Sequence, residues 1–307
     1  MFGLIVLGYV LAWSKLMEAD ATRGLSLFVF NVAIPALLFK TTATMDMKNV
    51  APWSLWGAFF GGLAINWVLT SFVSRRVESL NFGGGATASM ATGFGNLAML
   101  GTPLALSHFG QQVGVPLGLI LSVHAPVLWT AATLHREIAR HSGNLNWASV
   151  GGELFKTLTR NAIVIALLAG ALWRLSGLGM PAIPDKMLSM LADASIPTAL
   201  LALGASLAGY SLRGSLQGMF SLMALKMVCF PLIVFILSHS LFPMSALYTK
   251  IAILLAAMPT GANAFLFAQR NDQDIVPAVS AAVAAGTGLA AITVSILLYL
   301  MDAGFIS

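Results

Sequence analysis

Two asparagines, Asn96 and Asn263, lie inside apolar segments among glycines and prolines. The segments read Gly93-Phe-Gly-Asn-Leu-Ala-Met-Leu-Gly-Thr-Pro103 and Ala257-Met-Pro-Thr-Gly-Ala-Asn-Ala-Phe265. An asparagine amide offers two N–H donors and a carbonyl acceptor. Glycine and proline interrupt a helix, and an interrupted helix leaves main-chain groups unpaired. In hydrocarbon such a break is tolerated only where it lines a cavity or is buried in protein. Free N–H groups at a half-helix N-terminus attract anions, so the chemistry on offer is capture of a carboxylate. Gly95 and Asn96 form one side of the candidate site, and Pro259, Thr260, Gly261 and Asn263 form the other. Asn96 either receives the carboxylate or caps its own interrupted helix. Gly93, Gly95 and Gly261 either let two backbones cross or serve helix packing alone.

Ionisable residues are rare in the apolar segments. A carboxylate inside a membrane span costs about 3 kcal/mol or more unless it is paired, hydrated or protonated. Asp193 is therefore a candidate acceptor for a coupling proton, unless its span begins later and leaves it at the interface. Lys226 either neutralises Asp193, forms another structural pair, or draws anions inward. His124 is a relay candidate, since imidazole titrates near pH 6.5, or a hydrogen-bonded packing residue. Asn66 has no assignable role. No hydrolase, redox or nucleotide motif is present, and the five histidines lack metal-ligand spacing, so no metal, cofactor or enzymatic activity is expected.

These residues need a membrane scaffold to position them. The chain has 307 residues, 58% hydrophobic and 9% charged, against roughly 25% charged in a soluble domain. Apolar runs predict ten spans at 2–17, 24–43, 53–73, 84–107, 113–134, 160–177, 186–209, 216–240, 246–269 and 275–301. Lys15, Arg23, Arg75, Arg76, Arg136, Arg140, Lys156, Arg160, Arg213 and Arg270 fall after odd-numbered spans. Lys48 and Lys186 fall in the even-numbered loops, with Lys40 and Lys250 near span ends. This bias places the odd loops in the cytoplasm and both termini outside. It also accounts for the net charge of +5, so no nucleic-acid partner is expected. The lone Cys229 excludes an internal disulfide. The N-terminus lacks a basic n-region and a small-residue cleavage site, so no signal peptide is expected.

The chain repeats. A shift of 162 residues lays Asn31-Val-Ala-Ile-Pro35 on Asp193-Ala-Ser-Ile-Pro197, Gly8 on Gly170, and Gly93–Pro103 on residues 255–265. A shift of 161 lays Val115-Pro116 on Val276-Pro277. Asn31 thus joins the candidate site as the counterpart of Asp193. The expected organisation is a first five-span repeat at 1–135, a cytoplasmic linker at 136–159, and a second repeat at 160–307. Part of the linker, near Asn144–Lys156, reads either as a surface amphipathic helix or as plain connection. Five is odd, so the second copy enters the membrane from the opposite side, which yields inverted repeats.

The Asn31–Pro35, Gly95–Pro103, Leu225–Pro231 and Met258–Ala268 segments together resemble the auxin efflux carrier family, in its compact bacterial form. The resemblance spans essentially the whole chain. It implies an all-α integral membrane protein of ten helices with broken helices four and nine crossed. It also implies a scaffold of spans one, two, six and seven, and a transport unit of spans three to five and eight to ten. The expected function is secondary transport of small organic anions resembling malonate or malate across the inner (plasma) membrane, by alternating access, with proton coupling left open. The alternatives are a sodium-coupled symporter or cation–proton exchanger on the same plan, and an intramembrane enzyme. The expected partners are the organic anion and the lipid bilayer, with a homodimer also admitted.

Overall fold

The computed structural model describes residues 2–44, 52–80, 85–140, 152, 159–211 and 215–306. Among the described residues all regular structure is helical. The single pairing of extended backbone is an isolated antiparallel bridge between Gly95 and Thr260. The helices are α1 (Phe2–Trp13), α2 (Ala19–Thr44), α3 (Pro52–Ser74), α4 (Ala86–Gly93), α5 (Leu97–Phe109) and α6 (Gly114–Arg140). They continue with α7 (Ala162–Leu175), α8 (Ala182–Leu207), α9 (Leu216–Ser240), α10 (Ala246–Ala256), α11 (Ala262–Asn271) and α12 (Val276–Asp302).

Among the described residues six helical runs are long and apolar enough to cross a membrane, carried by α2, α3, α6, α8, α9 and α12. Helices α1, α5, α7 and α10 are apolar but shorter. The 12 residues of α1 rise about 18 Å, less than the roughly 30 Å of bilayer hydrocarbon. Expected spans 2–17 and 160–177 are therefore too long at their C-terminal ends. Lys15, at φ 61°, and Gly177, at φ 68°, take left-handed backbone just after α1 and α7. That conformation ends a right-handed helix. Conversely, α2 and α8 begin earlier than expected. Helix α6 runs on to Arg140, so the first residues of the expected 136–159 linker are helical. Apart from Gly152, the Asn144–Lys156 segment lies outside the described residues.

Three helices widen into π-turns, at Val29–Ala33, Leu97–Gly101 and Leu225–Cys229. Two residues after each comes a proline: Pro35, Pro103 and Pro231. Proline lacks an N–H, and its ring collides with the carbonyl four residues back. Those carbonyls belong to Asn31, Met99 and Met227, at the centre of each wide turn. The extra residue carries them past the rings and lets the helix continue. Pro126 and Pro197 sit in helix interiors without such a turn, so a proline permits the widening rather than dictating it.

The chain sorts into two compact units, and neither is a continuous half. The first comprises Met1–Val50, Leu97–Val123 and Thr157–Gly209; the second comprises Ala51–Asn96, His124–Lys156 and Tyr210–Ser307. The expected repeats 1–135 and 160–307 each contribute to both. Residues Leu97–Val123 join spans one, two, six and seven, whereas the resemblance implied that they group with span three.

In the first unit α1 packs on α8 and α2 packs on α7. A Cβ on Gly8 would run into the Leu201 carbonyl, and one on Gly170 would lie 2.7 Å from the Phe39 carbonyl oxygen. Such close backbone approach is how helices associate in lipid, where no hydrophobic force separates helix from solvent. In the second unit α3 packs on α4 and α9, while α9 and α11 pack on α12. The C-terminal parts of α6 and α11 are joined by Arg136, which bonds both the side chain and the carbonyl of Asn271 and sits 3.5 Å from Asp272. Asp272 also accepts a hydrogen bond from Thr87 in the first turn of α4.

Candidate functional site

The second unit contains the crossing. Helix α4 ends at Gly93, and Phe94 turns extended at φ −80°, ψ 95°. Helix α10 ends at Ala256, and helix resumes at Ala262 after extended Gly261. The two extended stretches meet antiparallel. The Asn96 N–H donates to the Pro259 carbonyl at 2.8 Å, and the Gly261 N–H donates to the Phe94 carbonyl at 2.8 Å. The Thr260 hydroxyl donates to the Ala91 carbonyl at 2.9 Å. Main-chain groups freed by the breaks thereby find partners, as a buried irregular backbone requires. Gly261 is needed by proximity, not by torsion: its φ is −92°, but a Cβ would lie 3.0 Å from the Gly95 carbonyl oxygen.

Two features of the crossing remain open. The Asn96 side chain is buried yet makes no hydrogen bond among the described residues, so it does not cap its own helix. Helix α11 starts without a side-chain cap, leaving first-turn N–H groups available. Asn263 lies in that first turn, half-buried. An electron-rich group placed there meets an amide and a helix N-terminus, which is the chemistry of anion binding.

Lys226 and His124 are buried nearby in the same unit. Lys226 is fully buried, donates to the Ala256 carbonyl at 2.7 Å, and lies 4.6 Å from the centre of the Phe230 ring. Its charge complements the C-terminal dipole of α10. His124 hydrogen-bonds the Gly93 backbone and packs edge-on against Phe94 at 4.8 Å and Phe59 at 6.0 Å, while its Nε2 has no partner. Both side-chain atoms of buried Asn66 also lack partners. At the turn between α8 and α9, burial pushes the Tyr210 phenol up to about 12; it stays neutral, edge-on to Phe265.

The first unit carries a separate polar cavity of about 390 Å³, lined chiefly by Lys40, Thr41, Thr44, Gln111, Ser189 and Asp193. Lys40 pairs with Asp185 at 3.0 Å and bonds Ser189. Asp193 is exposed on this cavity and has no ion pair among the described residues. The energetic argument from burial in a span therefore does not apply to it, and the partner of Lys226 is a main-chain carbonyl. Asn31 lies exposed in the wide turn of α2, within the first unit and not among the residues of the crossing.

A family model described as "Membrane transport protein" matches residues 1–298 of the chain. The chain belongs to the auxin efflux carrier family. With its apolar helices it is a multi-pass membrane protein. It is 25% identical over 303 residues to the "Putative malonate transporter" of Rhizobium meliloti, covering 99% of this chain and 94% of that one. It is 25% identical over 279 residues to an "Uncharacterized transporter" of Methanothermobacter thermautotrophicus, covering 89% and 87%. Similarity at 24% identity extends to the mouse "Lysosomal cholesterol signaling protein", over 68% of this chain and 25% of that protein.

In this member of the family, five of the residues singled out in the sequence come together: Gly95, Asn96, Pro259, Thr260 and Gly261. Sequence reasoning missed the cavity. Its one visible trace was Asp185, Ser189 and Asp193 at steps of four, a stripe down one helix face. The role of Ala256 as the partner of Lys226 had no side-chain signal at all.

Proposed function

We propose that the protein is a secondary carrier of small organic anions, of the malonate and malate kind, working by alternating access across the inner membrane. The observation that carries this reading is the Asn96 amide, buried at a backbone crossing beside an uncapped helix start and with no partner of its own. A carboxylate placed there would accept hydrogen bonds from the amide, worth roughly 1.5–3 kcal/mol for a charged acceptor. Gly95, Thr260 and Asn263 complete the seat. The name of the Rhizobium relative favours malonate among the candidates.

Ten spans in two inverted repeats are part of the proposal, with α4–α5 and α10–α11 as the interrupted spans. Two pairs of contacts support it. Gly8 approaches Leu201, and Gly170 approaches Phe39; 8 + 162 = 170 and 39 + 162 = 201, so each contact is the other with the repeats exchanged. Gly57 approaches Phe242, and Gly218 approaches Ser79 and, next to it, Leu80; 57 + 161 = 218 and 80 + 162 = 242, so these contacts exchange to within a residue. A two-fold relation between halves produces such exchange. Purified protein in vesicles should take up labelled malonate saturably, and imposed proton or sodium gradients assign the coupling ion. Uptake that rises linearly with concentration would favour a channel instead.

A further inference from the structure

We infer that the polar cavity of the first unit is a binding site for a small carboxylate that carries a hydrogen-bond donor a few bonds away, a zwitterionic amino acid best of all. This site contains no residue of the crossing, and the inference does not rest on the carrier reading.

An ammonium has three N–H donors. Those of Lys40 meet Asp185 and Ser189, which leaves one for a ligand. The side chains of Thr41, beside Lys40 on α2, and of Gln111, in the turn before α6, make no hydrogen bond among the described residues and line the same space. Together they form a carboxylate seat: one charged donor and two neutral ones. Asp193 lines the cavity one helical turn beyond Ser189, with both oxygens unpaired among the described residues. Ser189, which holds Lys40, and Asp193 are four residues apart on α8, about 6 Å along the axis. A carboxylate and a donor on adjacent carbons, each at hydrogen-bond distance from the wall, span that gap.

Charge ranks the ligands. Lys40 and Asp185 cancel, and Asp193 leaves the cavity at net −1. A plain monocarboxylate brings a second negative charge and gives Asp193 nothing. A hydroxy acid brings the same charge but donates to Asp193. An amino acid donates through an ammonium and adds no net charge, and hydrogen bonds between charged groups are the strong ones. The volume of about 390 Å³ falls in the range of small-molecule sites.

The three-carbon series propionate, lactate and alanine tests this with one skeleton. Binding is measured by titration calorimetry on the full-length protein in lipid nanodiscs. The expected order of affinity is alanine, then lactate, then propionate. Asp193→Asn, an isosteric change at an exposed position, should weaken alanine by roughly tenfold or more and leave propionate unchanged. Lys40→Gln should weaken all three. Thermal unfolding of each variant verifies its fold. Equal binding of the three acids, an alanine preference that survives Asp193→Asn, or no saturable binding of any of them would overturn the inference.

Discussion

Asn96 concentrates the chemistry of the crossing in one side chain. Its main-chain N–H is spent on Pro259, and its amide is not spent on anything. Asn96→Ala should therefore lower malonate uptake at least tenfold, consistent with loss of a hydrogen bond to a charged group at about 1.5–3 kcal/mol. Its thermal stability should stay near wild type, because the substitution removes no side-chain hydrogen bond among the described residues. Wild-type uptake in the variant would remove Asn96 from the site. Glycine, proline and asparagine together marked this residue in the sequence, since that combination has no purpose in an uninterrupted span. Lys226 was equally conspicuous as a charge, but its partner was not, because a freed backbone carbonyl leaves no mark on residue type. Asp193 stood out as a charge in a span, but the sequence does not tell which helix face opens on a cavity.

At the scale of elements, the helices follow from apolar runs and their ends from backbone geometry. The positions of α3, α9 and α12 were readable because twenty or more apolar residues admit few alternatives. The early ends of α1 and α7 were not, because nothing in Ser14-Lys15 announces a left-handed lysine. Close packing yields a sharper test. Gly8 lies against the Leu201 carbonyl, whereas Gly3 on the same helix has open space around it. Gly8→Val should lose on the order of 1–3 kcal/mol through overpacking and melt measurably earlier, while Gly3→Val should stay near wild type. Equal melting temperatures would mean that α1 does not depend on this contact. At the crossing, Gly261→Val should abolish uptake, because a side chain there meets the Gly95 backbone at 3.0 Å. Retention of full uptake would show that the two strands need not approach so closely.

For the whole molecule, the asymmetry of basic residues predicts orientation. In a Cys229→Ser background, a cysteine replacing exposed Glu78 should react only with reagent on the cytoplasmic side. One replacing exposed Leu178 should react only from outside. Both reacting from one side would overturn the span count and, with it, the inverted arrangement. The proposed repeat rests in the sequence on four short matches at nearly constant offset. The two compact units were not visible there, because they interleave the halves, and only side-by-side packing determines which spans group together.

The central claim, that this is a carrier whose anion sits at the Asn96 crossing, is tested most directly by counterflow. Vesicles loaded with unlabelled malonate and diluted into trace labelled malonate should accumulate label transiently above its outside concentration. Asn96→Ala vesicles with equal protein content should accumulate at least tenfold less. Absence of the transient in wild-type vesicles, or an undiminished transient in Asn96→Ala, would contradict the account.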